Sequence, residues 1–134
     1  MTAPTVDAGP LIDAIETAVT TAGVAIGEAR KPTVAADRPY VVAFYDAGSV
    51  TDRTLRSRDG FSLYCSFQCA GLTPEAVRVA VRKLRGALLG LHLAEVAGRT
   101  VQMPVHEAPR PMDRDDDADP PLFIQADEWR LRLS

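Results

Sequence analysis

Apolar and polar residues alternate without a break from Phe61 to Cys69. Phe61, Leu63, Cys65, Phe67 and Cys69 fall on one side, and Ser62, Tyr64, Ser66 and Gln68 on the other. A period of two is the pattern of a half-buried strand. Residues 70–74, AGLTP, then break the period. Gly71 permits a bend, Thr73 offers a hydroxyl to cap a helix, and Pro74 takes the first helical position, where a missing N–H costs nothing. Glu75 sets a negative charge at the positive end of the helix dipole. From there Val77, Val81, Leu84, Leu88 and Leu91 recur three or four apart, which predicts a helix to about His92 with one apolar stripe. The strand just before it is the natural partner of that stripe, and the rest of the chain is arranged around this unit.

The flanking pattern supplies further elements. Residues 1–8 read as a loose tail. Leu11, Ile12, Ile15 and Val19 predict a helix over 10–21, with Asp7 as its cap and Gly23 beyond its end. A short strand is expected over 24–29, then a loop bracketed by Pro32 and Pro39. YVVAFYDAG, from Tyr40, is apolar at both parities, which predicts a strand covered on both faces. Residues 48–60 and 108–121 read as long loops, the first a hairpin whose tip projects. Between them Val101, Met103 and Val105 are expected to point inward on an edge strand that tolerates Pro104. Over 122–133, Trp129, Leu131 and Leu133 share one parity and Leu122, Ile124 and Ala126 the other, so a bulge or twist is expected near Asp127. The order α-β-β-β-α-β-β has strands in succession without crossover helices. It predicts one α+β domain over 1–134: a mainly antiparallel sheet of about four to five strands with two helices packed on one face.

Composition narrows the class. At 134 residues, 46% hydrophobic and 25% charged, the chain has globular values. A net charge of −3 argues against a general nucleic-acid binder. No apolar run is long enough to span a bilayer, and the first residues do not have the form of a signal peptide, so a cytoplasmic site of synthesis is expected. Cys65 and Cys69, four apart on a strand, are separated by about 13 Å, beyond the ~7 Å limit for a disulfide.

Candidate chemistry is sparse. Asp113, Asp115, Asp117 and Asp119 alternate as in a calcium loop, but Ala118 stands where the sharp-turn glycine belongs and Ile124 where the bidentate glutamate belongs. Residues 113–119 carry five Asp against one Arg, a local charge of −4. Arg78, Arg82 and Arg85 share one face of the second helix, and Arg53, Arg56 and Arg58 gather in the 48–60 loop. Such charges suit phosphates or a neighbouring subunit, or simply water. His92 belongs at a helix end and His106 on the polar side of an edge strand. Nucleophile-elbow, zincin, P-loop and dinucleotide motifs are missing, and neither an enzyme nor a metal or cofactor is expected.

The order of these segments resembles the tail terminator proteins of long-tailed bacteriophages, in the version found with GC-rich Gram-positive hosts. The carrying stretches are LIDAIETAV, RPYVVAFYDAG, CAGLTPEAVRVAVRKLRGALLGLHL, GRTVQMPV and DRDDDADPPLFIQADEWRLRLS, spanning 11–133. The resemblance implies a non-enzymatic subunit that forms a ring, usually a hexamer, on the finished tail tube. The ring stops polymerisation and offers a surface to the connector or head-completion protein, and DNA passes through its lumen. Assembly would take place in the host cytoplasm and the product would sit at the head-proximal end of the tail, away from any membrane. On this reading Arg53, Arg56, Arg58, Arg78, Arg82, Arg85, Asp113, Asp115, Asp116 and Asp117 are candidates for subunit interface or lumen. A different neck or connector subunit, and a small ligand-binding α+β domain, are the alternatives.

Overall fold

Eleven elements follow one another in the computed structural model, which describes residues 7–50 and 60–134. They are α1 (Gly9–Thr21), β1 (Ala25–Glu28), β2 (Tyr40–Tyr45), β3 (Ser49–Val50), β4 (Phe61–Gly71), α2 (Pro74–Leu89), β5 (Glu95–Val96), β6 (Arg99–Thr100), β7 (Val105–Pro109), β8 (Asp113–Asp115) and β9 (Leu122–Leu133). The main sheet runs β1-β2-β4-β9-β7, with β3 added to β4 and β8 to β9, while β5 and β6 form a separate hairpin. The α+β expectation holds. The sheet is antiparallel except at β1, which pairs parallel with β2. The 11 residues of loop between β1 and β2 (numbers 29–39) are enough to return the chain to the same end of the sheet without a helix.

β4 is the spine. It pairs with β2 from Tyr40↔Ala70 to Tyr45↔Cys65 and with β9 from Phe61↔Leu133 to Gly71↔Phe123. Its inward set Phe61, Leu63, Cys65, Phe67 and Cys69 is buried in one core with Leu11, Ile15 and Val19 of α1 and Val77, Val81, Leu84 and Leu88 of α2. Both helices therefore cover one face. Among the described residues no helix lies over the other face, Phe44 of β2 is 43% exposed there, and the expectation of a strand covered on both sides fails.

The helix starts follow their chemistry. Thr73 is in extended conformation, and its hydroxyl accepts the Ala76 N–H at 3.1 Å. Thr73→Ala should cost about 1 kcal/mol, read as a lower thermal midpoint with α2 otherwise intact. For α1, Ala8 holds the cap position, and the Asp7 carboxylate instead accepts the Gly9 N–H at 2.9 Å. α2 ends at Leu89, sooner than expected, because Gly90 closes it and residues 90–93 form turns. Gly48 has φ +79, and a side chain there would run into the Phe61 ring.

Three expectations in the second half fail. Met103 and Val105 are 54% and 46% exposed, and Pro104 is buried in their place. The expected loop over 108–121 instead contains the end of β7 and the whole of β8, whose hairpin returns through a cis Asp119–Pro120 bond. β9 has no bulge at Asp127: its register on β4 is unbroken, and the irregularity lies opposite, on β7 between His106 and Ala108. Because that register holds, Asp127 shares the inward parity of Trp129, Leu131 and Leu133. The hairpin β5–β6 was not legible at all.

Candidate functional site

A carboxylate facing the core must find donors. Asp127 is 0% exposed, opposite Phe67 on β4. Arg85 of α2 reaches it with two bonds, Nε to Oδ2 at 2.8 Å and Nη2 to Oδ1 at 2.9 Å. The Trp129 indole N–H donates to Oδ2 at 3.3 Å, and His106 Nε2 lies 3.2 Å from Oδ1. The His106 ring is stacked on Trp129, with centroids 4.7 Å apart. Burial alone would raise the Asp127 pKa, but the hydrogen bonds from Arg85 and Trp129 and the charges of Arg85 and His106 outweigh it, and the net shift is downward. Arg85 is pushed up by its bond to Asp127, against the opposing effect of burial. Burial chiefly, then the charge of Asp127, takes the nearby Cys69 thiol up to about 12, so it is inert at neutral pH.

Both Asp127 oxygens are thus occupied, and the group is ionised. Chemically it is a clamp that ties α2 to β9 and β7. It is not a base waiting for a proton, since every acceptor position facing the protein is in use. His106 lies on the inner side of β7, which corrects its expected placement on the polar side. Sequence reading missed Asp127, His106 and Trp129 as a set. The available signal was the parity of Leu133, Leu131 and Trp129 carried back two residues.

The named candidates are divided by the fold. Arg85 bends inward to Asp127, while Arg78 and Arg82 stay exposed on α2. Asp113 and Asp115 lie on β8, and Asp116 and Asp117 in the turn after it, where Arg114 pairs with Asp116 at 2.6 Å and the Asp117 N–H donates to Asp115 at 3.0 Å. Arg53, Arg56 and Arg58 lie outside the described residues. Among the described residues no group of three or more His, Cys, Asp or Glu is placed to hold a metal ion. No helix among them is long and apolar enough to cross a membrane.

Three shallow concave features of similar size, about 400–440 Å³, lie on the described surface, and one of them has mainly apolar walls. A groove of about 440 Å³ opens between the start of β1, the loop before β2 and the first turns of α2. Val34, Pro39 and Val79 line it, with Arg38 and Lys83 at its rim.

No protein-family model matches the sequence, and no curated protein matches it. In three dimensions the chain is similar to a chain in the virion of a native gene transfer agent (GTA) particle, with a TM-score of 0.68 and 16% sequence identity. That match covers 97% of this chain and 98% of the other, so the two share a fold from end to end.

Proposed function

We propose that the chain is a structural subunit of a phage-like virion and, within it, the tail terminator: a ring, hexameric by resemblance, that caps the tail tube, ends its polymerisation and presents a surface for head joining. The observation that carries this reading is the agreement in fold, over 97% of the chain, with a virion chain of a gene transfer agent particle. The resemblance in the order of sequence segments to tail terminators supports the position within the particle. The clamp at Asp127 fits the same reading, because it fixes the helix layer to the sheet and leaves the surface for contacts. The subunit has no catalytic step in this account. Its partners are copies of itself, the tail tube protein and the connector, with DNA passing through the lumen.

The test is to produce particles without this chain and measure tail length by electron microscopy. Overlong tubes without heads are expected. Tails of normal length, joined to heads, would refute the proposal. Normal tails that fail to join heads would move the chain to the neck or connector.

A further inference from the structure

The groove beside α2 and the acidic hairpin lie at opposite ends of one row of the sheet. Ala25, Tyr40, Ala70, Ile124 and Asp113 are successive partners across β1, β2, β4, β9 and β8. Ala25 lines the groove, and Asp113 opens the hairpin. Four strand spacings separate them, about 19 Å, so the two features of one chain are held apart by an intact sheet. They lie at opposite edges of the sheet.

Their chemistries are complementary. The groove has apolar walls with Arg38 and Lys83 exposed at the rim, and neither makes an ion pair among the described residues. The hairpin turn offers Asp117 and Asp119, likewise without an ion pair among the described residues, next to Ala118, Pro120 and Pro121. Rigid apolar residues flanked by carboxylates suit a small apolar groove flanked by cations. The arginine face of α2 is the weaker partner, because Arg85 is already committed to Asp127.

We propose that the hairpin turn around Asp117 and Asp119 of one copy docks in the Arg38–Lys83 groove of the next. A contact between two different patches at opposite sheet edges of a subunit is heterologous, and it repeats from copy to copy until the rotation closes a ring. The inference rests on the ring reading above and names the surfaces that would build it.

The test uses the full chain. Lys83→Cys and Asp117→Cys chains are mixed and mildly oxidised, with Lys83→Cys plus Arg132→Cys as control. The native thiols Cys65 and Cys69 are buried and stay silent. Disulfide-linked pairs at least about tenfold above the control are expected; linkage at the control level overturns the docking. Separately, Asp117→Lys with Asp119→Lys should weaken self-association, followed by sedimentation, by about tenfold, equivalent to 1.4 kcal/mol. Adding Arg38→Glu and Lys83→Glu to the same chain should restore it, and raised salt should weaken the unmodified contact. Self-association unmoved by the reversals overturns the docking, as does a chain that stays monomeric at all concentrations. If particles without the chain lose length control but the Asp117→Lys/Asp119→Lys particles keep it, the terminator reading survives and the docking does not. If the docking contact forms and tails without the chain are normal, the docking survives and the terminator reading fails.

Discussion

Replacing Arg85 with alanine is expected to destabilise the fold by about 2–3 kcal/mol at neutral pH and to reverse how the Asp127 carboxylate responds to acid. Removing one partner of a buried ion pair typically costs about 3–5 kcal/mol, because the other charge is left uncompensated. Here the figure is set lower because the Arg85 side chain is 37% exposed, so part of its interaction is screened by water. Asp127 itself is 0% exposed and cannot be rescued by solvent without rearrangement. The sign of the pH effect follows from which cause wins. In the unmodified chain the folded pKa of Asp127 lies below its ordinary value of 3.8. The stability it contributes is therefore complete above the unfolded pKa and is lost as pH falls through the folded one. Without Arg85 the largest lowering cause is gone and burial dominates, so the folded pKa rises above the unfolded value. Stability is then lost as pH increases through that interval, and the deficit of the variant shrinks in acid. Urea denaturation of both chains across the acid range tests this. Parallel stability curves would show that Arg85 does not hold the carboxylate.

The same residue shows how far the sequence could be read. The period of two in β4 and the three-four spacing in α2 were legible because each records a single physical demand, one face in and one face out. Thr73 and Pro74 marked the helix start for a similar reason, since orphan N–H groups need a local acceptor. Asp127 was not legible as buried, because local hydropathy favours placing a carboxylate in water and the compensating Arg85 is 42 positions away. Expecting a bulge at Asp127 was the way to keep the pattern apolar, whereas the fold keeps the register and brings a partner to the charge. Met103 and Val105 misled in the opposite sense. Their alternation was real, but the edge strand presents Val105 to the face of the sheet opposite the helices. The short pairings of β3, β5, β6 and β8 have two or three residues each, too few for any period to register. The candidate interface was legible only as charge. The acidic run is visible in the sequence, while the groove opposite it is assembled from three segments and has no local signature.

Phe67→Ala should be the most damaging single truncation in the core, at about 3–5 kcal/mol. Phe67 is 0% exposed at the middle of β4, with Ala43 of β2 on one side and Asp127 of β9 on the other. The Tyr45 ring meets it edge-on, with centroids 6.0 Å apart. Ala43 is too small to fill the space left by the ring, and the strands on both sides are held by their registers, so the site cannot collapse. Domains of this kind are stable by only about 5–15 kcal/mol, so the loss is a large share of the total. The urea midpoint should fall with little change in slope, the mark of lower stability without a change in the surface exposed on unfolding. Phe67→Leu keeps most of the volume and should lose less than half as much. The opening created by alanine adjoins a polar wall at Asp127, and a polar cavity of sufficient size admits water. Water there would solvate the carboxylate and reduce its dependence on Arg85. Phe67→Ala and Arg85→Ala should therefore combine to less than the sum of their separate costs, as neighbouring sites do. Strict additivity of the pair would mean that the ring does not keep the Asp127 clamp dry.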